Sequence, residues 1–84
     1  MKLVYKYRPG EFENSAERTR YVKNLLKTLK GKRARLKIAS QKRGINGIIG
    51  DIYPFSDCDR VQIEQEKMIK YVPTWEITEI WIQE

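Results

Sequence analysis

Histidine is absent from this chain of 84 residues, and cysteine occurs once, at Cys58. Without histidine, the chain lacks the commonest general base near neutral pH and the commonest metal ligand. A single cysteine can form neither an internal disulfide nor a cysteine-rich zinc site, and it fits a reducing compartment. We therefore predict a non-catalytic cytoplasmic protein that uses no metal ion and no cofactor.

Long apolar runs are also absent. No run approaches the roughly 18 residues that a membrane-spanning helix needs, and residues 1–7 lack the apolar core of a signal peptide. The phosphate-cradling loop G-x-x-x-x-G-K-[ST] does not occur. These absences favour a soluble protein with no membrane partner, and the length predicts a single domain, residues 1–84.

Acidic residues are missing from residues 18–43, although the chain has 11 of them elsewhere. This stretch contains 11 of the 17 basic residues, so it carries +11, while the other residues sum to −5 (6 basic minus 11 acidic), which gives the net +6. Such segregation of charge favours an anionic partner, either nucleic acid (DNA or RNA) or an acidic protein surface.

Alternating apolar and polar residues predict several strands. Residues 2–8 alternate, which predicts a first strand with Leu3, Tyr5 and Tyr7 facing inward. Glycines at Gly47 and Gly50 indicate a bulge or sharp bend in a later strand. The later strands are predicted at residues 33–39, 45–53, 60–64, 68–72 and 76–82.

One amphipathic helix is predicted for residues 15–30. Asn14 and Glu17 have the spacing of a capping box, and Gly31 suits the position just past the helix end. Its apolar stripe contains Val22, Leu25, Leu26 and Leu29. The predicted fold class is α+β. An N-terminal strand (residues 1–8) and the helix pack on a small, strongly bent five-stranded antiparallel sheet or SH3/Sm-like barrel, residues 33–82.

The part of the chain after the helix resembles the Sm-like and SH3-like small barrels. The resemblance covers residues 31–82 and follows the order helix, basic strand, bent strand with Gly47, Arg60-Val61-Gln62-Ile63, and a final strand with Ile80 and Ile82. Among bacterial proteins it is similar to the YolD-like family. Residues 54–57 stand where Sm proteins place the Asp and Asn that hold uridine, so no Sm RNA-binding residue is carried over.

The basic stretch supplies the candidate nucleic-acid-binding residues, on a helix face, a strand face and a turn. They are Arg20, Lys23, Lys27, Lys30, Arg33, Arg35, Lys37, Lys42 and Arg43. Lysine and arginine that neutralise phosphates release counterions, which gives affinity with low sequence specificity and steep salt dependence. Two alternatives remain: a solvated helix face with a lysine-protected edge strand, or pairing with the acidic C-terminal half, within one chain or between subunits of a homo-oligomer.

The two tryptophans are expected to have different roles. Trp81 is predicted to point outward with Glu79, because Ile80 and Ile82 share the inward side, and both are candidate protein-interface residues. The carboxylates of Glu79 and Glu84 disfavour nucleic acid there, and cover by residues 1–8 is the alternative. Trp75 is expected to plug one end of a barrel.

These patterns favour a small nucleic-acid-binding or regulatory protein. The alternative is a protein-interaction module or inhibitor that binds an acidic protein surface or associates with itself.

Overall fold

A computed structural model describes residues 1–83, in which one helix packs on a six-stranded antiparallel sheet. The elements are β1 (Lys2–Lys6), α1 (Ser15–Thr28), β2 (Arg33–Ile38), β3 (Ile45–Pro54), β4 (Asp59–Glu64), β5 (Ile69–Pro73), a 3₁₀ turn (Thr74–Glu76) and β6 (Ile77–Ile82). The predicted α+β class is therefore confirmed.

The sheet has the strand order β1-β6-β2-β3-β4-β5. β6 lies between β1 and β2, because Ile80 pairs with Tyr5 on one side and with Leu36 on the other. The sheet is open, since β1 and β5 are its two edges and do not pair with each other. The predicted N-terminal strand joins the predicted five strands as a sixth, and closure into a barrel is not observed in residues 1–83.

α1 begins at the residues that the sequence indicated, but it ends earlier than predicted. The Asn14 side chain accepts a hydrogen bond from the backbone N–H of Glu17 at 2.8 Å, which satisfies one of the free donors in the first turn. The helix ends at Thr28, two residues before the predicted end. Gly31 then adopts a φ of +87°, a left-handed conformation that glycine accepts without strain.

One face of the sheet and one stripe of α1 form the core. Val22 and Leu26 of the helix are fully buried. The strands contribute Tyr5, Ala34, Leu36, Ile38, Ile45, Ile49, Val61, Ile63, Val72, Ile77, Ile80 and Ile82. Apolar burial of this kind is the main force that holds so small a domain together.

A register shift between Leu3 and Tyr5 breaks the alternation of β1. Tyr5 is buried, but Leu3 is exposed and lies opposite Trp81, on the other face of the sheet. Tyr7 follows the strand and is exposed. The prediction that all three residues face inward is therefore right for Tyr5 alone, because a bulge shifts the side-chain alternation by one residue.

β3 pairs with β2 through its first half and with β4 from Ile48 onward, and its register shifts between Ile49 and Ile52. Gly47 lies where β4 approaches: a Cβ there would be 2.5 Å from the Glu64 carbonyl oxygen. The predicted bulge at the glycine-containing strand is thus present.

Arg18 ties the start of α1 to the neighbouring strands β1 and β6 and to the 3₁₀ turn before β6. Its Nη1 donates to the Ile77 carbonyl at 3.1 Å and to the Tyr5 hydroxyl at 3.4 Å, and its Nη2 donates to the Trp75 carbonyl. The guanidinium also lies 4.8 Å from the centroid of the Tyr7 ring. This arginine therefore fixes the helix, the 3₁₀ turn and the end of β1 relative to one another.

Among residues 1–83, no helix combines the length and the apolar character required to cross a bilayer.

Candidate nucleic-acid interface

The nine candidate cations fall into two groups on different parts of the molecule. The helix group consists of Arg20, Lys23 and Lys27 of α1 and of Lys30, which was predicted in the helix but lies two residues past its end. The strand group consists of Arg33, Arg35, Lys37, Lys42 and Arg43. Ala34, Leu36 and Ile38 of β2 point into the core beneath α1. Because side chains alternate along a strand, the basic residues of β2 point away from that core. The structure does not merge the two groups into one continuous face.

The helix group is partly neutralised. The Lys23 ammonium pairs with Asp59, and Lys30 pairs with Asp51 at 2.6 Å. The hydrogen bond and the charge of Asp51 raise the pKa of the Lys30 ammonium above its usual value. Pairing with the acidic C-terminal half, one of the alternatives from the sequence, therefore occurs at these two lysines. Arg20 and Lys27 are exposed beside them.

The strand group forms what we call the basic strip: Arg33, Arg35, Lys37, Lys42 and Arg43. Four of these side chains are exposed and that of Lys37 is half-buried. Among residues 1–83, none of the five has a carboxylate oxygen within 4.0 Å of its charged nitrogens. The basic strip is therefore the part of the basic stretch whose charge the described chain leaves uncompensated at short range.

Arg35 connects the strand part of the strip to its turn. A Cβ added at Gly44 would overlap the Arg35 side chain, with the Cγ of Arg35 at 2.9 Å. The guanidinium chain therefore lies along the turn between β2 and β3, which also carries Lys42 and Arg43. The absence of a side chain at Gly44 lets the strip continue from β2 onto the turn.

Trp81 faces outward, as the alternation of β6 predicts, but it is half-buried. It lies opposite Leu3 of β1 and Arg35 of β2, and its Nε1 donates to Glu79 Oε1 at 2.9 Å. β1 thus covers part of Trp81, in line with the alternative of cover by residues 1–8. A role of Trp81 and Glu79 in a protein interface stays a prediction, and Glu84 lies outside the described residues.

Trp75 is not a plug, since 51% of its surface is exposed. It borders an open groove of about 480 Å³ between the start of α1 and the 3₁₀ turn. Arg18, Arg20 and Lys23 line the same groove, together with the helix residues Ser15, Ala16 and Thr19. No sequence pattern indicated this grouping, because it depends on how the 3₁₀ turn docks on α1.

A second exposed cluster contains three aromatic rings near β5. The ring centroids of Tyr53 and Phe55 lie 6.2 Å and 5.5 Å from that of Tyr71, and Arg60 stacks 4.8 Å above Phe55. Arg60 also donates to Asp57 at 2.8 Å, and this hydrogen bond lowers the pKa of the Asp57 carboxyl below its usual value. Exposed Met68 and Ile69 are further apolar residues of the β5 region.

In the part of the chain that the structure describes, no three histidine, cysteine, aspartate or glutamate residues gather where they would hold a metal ion.

The fold and the strip define a small α+β protein with an open antiparallel sheet and a row of basic residues on the outer face of β2. The chain matches no protein-family model, no curated protein and no solved structure in the comparisons made.

Proposed function

We propose that this chain is a small, non-catalytic nucleic-acid-binding or regulatory protein of the cytoplasm, which contacts phosphates with low sequence specificity. The observation that carries the proposal is the basic strip: five cations on one sheet face and its turn, none of which has a carboxylate oxygen of residues 1–83 within 4.0 Å of its charged nitrogens. The exposed Arg20 and Lys27 on α1 add to the positive field.

The strip suits phosphates because its cations are set on a rigid frame. Arg33, Arg35 and Lys37 project at alternate positions of a strand that is paired on both sides, to β3 and β6. Their Cα atoms are therefore about 7 Å apart, two strand residues each. Cations held at fixed spacing lose less conformational freedom on binding than those of a disordered tail.

Counterion release sets the expected salt dependence. If all five strip cations contact phosphates, log K falls with log salt with a slope of about −4.5 for duplex DNA and about −3.5 for single strands. Most of the affinity should therefore be lost between about 50 mM and about 200 mM salt.

The double substitution Lys42→Gln and Arg43→Gln tests the strip. We expect weaker binding and a slope reduced in magnitude by about 1.8 for duplex DNA or about 1.4 for single strands, since two contacts are removed. Fluorescence anisotropy of labelled oligonucleotides across a salt series measures both quantities.

Lys67→Glu is the matched control, because it lowers the net charge by the same two units at an exposed residue outside the strip. The control should keep nearly the affinity of the unmodified chain. Equal losses in both variants would mean that net charge, and not the strip, drives binding. Absence of binding at low salt would end the proposal.

For the fold, we propose that the bent, open sheet is a variant of the Sm-like and SH3-like small barrels. The support is the order of elements from Gly31 to Ile82 and the register shift of β3 between Ile49 and Ile52. The same part of the chain is the basis of the similarity to the YolD-like family. No residue role is carried over from that resemblance.

The second candidate function is protein interaction, and the aromatic cluster favours it. Tyr53, Phe55 and Tyr71 are each at least 40% exposed next to the free edge of β5. Tyrosine and arginine are enriched among residues that dominate protein interfaces. Tyr71→Ser would then abolish self-association or partner capture in sedimentation and pull-down measurements, while leaving nucleic-acid affinity unchanged.

A further inference from the structure

The groove beside Trp75 combines an exposed aromatic ring with positive charge. We infer that it binds one nucleotide unit of a single-stranded nucleic acid, with the base stacked on Trp75 and the phosphate held by Arg20 and Lys23. This inference rests on the proposed nucleic-acid binding. It adds that the ligand is single-stranded and that Trp75 contacts its base.

Trp75 is presented to solvent from a fixed backbone. Arg18 donates to the Trp75 carbonyl and to the Ile77 carbonyl, so the main chain of the 3₁₀ turn and of the residue that follows it is held against α1. The ring nevertheless remains half exposed. Burial of the large apolar surface of a tryptophan is strongly favourable. A tryptophan ring that stays exposed on a fixed segment is therefore suited to bury its face against a ligand.

The lining of the groove is cationic and contains no carboxylate among the described residues. Arg18 hydrogen-bonds to neutral carbonyl and hydroxyl oxygens, and no carboxylate of residues 1–83 forms an ion pair with it. Lys23 shares its charge with Asp59, while Arg20 is exposed. Glu76, the acidic residue next to Trp75, lines a different depression together with Gln41 and Lys70.

The cations continue the groove along the helix. Arg20, Lys23 and Lys27 are spaced by three and four residues, so they share one face of α1. From Arg20 to Lys27 this face extends about 10 Å along the helix axis. A flexible backbone that leaves Trp75 can therefore meet further positive charge.

The same geometry disfavours a duplex. Stacking on Trp75 needs a base whose face is free, and in a duplex both faces are covered by neighbouring base pairs. A concave site between a helix and a turn admits a splayed base, which is how single strands are usually recognised. Every base has such a face, so the groove is expected to tolerate any sequence.

The test compares ligands and variants in one titration series. The Trp81→Phe background leaves Trp75 as the single tryptophan, since the chain has two. We expect an oligothymidylate of about ten nucleotides to quench the fluorescence of Trp75 on binding. In the chain with Trp81 intact, Trp75→Ala should weaken oligothymidylate binding about 5- to 150-fold, change duplex affinity less than about twofold, and leave the melting temperature nearly unchanged.

Trp75→Phe is the rescue variant, because its smaller ring still stacks, and it should recover most of the lost affinity. Loss of single-strand and duplex affinity by the same factor in Trp75→Ala, or loss of neither, would overturn the inference and leave the proposed function standing. Thymidine monophosphate that quenches Trp75 as tightly as the oligonucleotide would assign the groove to free nucleotides and also overturn it. Failure of every nucleic acid to bind at low salt would remove the proposed function itself.

Discussion

Arg18 belongs to the basic stretch, yet its guanidinium acts within the fold. It donates to the carbonyls of Trp75 and Ile77 and lies over the Tyr7 ring. Arginine suits this position because its planar head offers several donors in a fixed fork, which the ammonium of lysine does not. A basic residue that the sequence suggests for a binding surface can therefore serve instead to hold elements of the fold together.

Replacing Arg18 tests that assignment. Arg18→Ala leaves two main-chain carbonyls without their donor, and we expect a loss of about 1–3 kcal/mol in the free energy of unfolding. For a domain of this size, each kcal/mol lowers the melting temperature by roughly 4–8 °C. The free energy of unfolding of Arg18→Lys should lie between those of the unmodified chain and of Arg18→Ala, because one ammonium cannot reach all the acceptors.

Arg20→Ala serves as the control, because Arg20 is exposed two residues further along the same helix. Its effect on stability should stay within about 0.5 kcal/mol in urea unfolding. Equal costs at Arg18 and Arg20 would show that the hydrogen bonds of Arg18 contribute nothing specific.

At the scale of the element, β3 depends on a glycine where β4 comes close. Gly47→Ala would place a Cβ 2.5 Å from the Glu64 carbonyl oxygen and 2.6 Å from Ile63 Cγ2, so β4 must shift. Overpacking of this kind costs about 1–3 kcal/mol, more than the roughly 0.4–1 kcal/mol that alanine recovers by restricting the unfolded chain.

Gly50→Ala in the same strand is the comparison, because its nearest contacts would be at 3.3 Å, on Gln62. Urea unfolding should show a clear loss for Gly47→Ala and a much smaller one for Gly50→Ala. Similar values for the two variants would contradict the close approach at Gly47.

Local patterns explain why these elements were predictable from sequence. The helix start depends on Asn14 and Glu17, and Gly31 past its end adopts the left-handed conformation that only glycine accepts easily. The alternation of β2 and β4 sets their inward faces. The bulge that turns Leu3 outward was not predictable, because it follows from pairing with β6, about 75 residues away in the chain.

The candidate site was predictable only as a set of charges. Which cations are paired depends on Asp51 and Asp59, and these carboxylates come from the other half of the chain. The groove beside Trp75 depends likewise on the docking of the 3₁₀ turn against α1. Sequence alone therefore indicated an anionic partner, but it did not separate the basic strip from the helix group.

At the scale of the whole molecule, unbalanced charge should make stability depend on salt. The molecule measures 37 × 31 × 25 Å. At about 0.01 M salt the screening length is about 30 Å, so the strip cations repel the helix cations across the domain. At about 0.15 M salt the screening length falls to about 8 Å, and this repulsion is largely screened. We expect the melting temperature to rise over this range of sodium chloride.

The Lys42→Gln and Arg43→Gln double variant should show a smaller rise, because two repelling charges are gone. Calorimetry of both chains at the two salt levels makes the comparison. A melting temperature that falls with added salt would mean that attractive pairs such as Lys23–Asp59 outweigh the repulsion.

The position of β6 has a consequence for how the chain folds as it is made. β6 is the last of the strands in sequence, but it lies between β1 and β2. At a synthesis rate of about 5–20 residues per second, roughly 4–14 seconds pass between the synthesis of β1 and that of β6, the strand with which it pairs. During synthesis, therefore, β1 and one edge of β2 stay unpaired until β6 has been made, because β6 is the strand that lies between them.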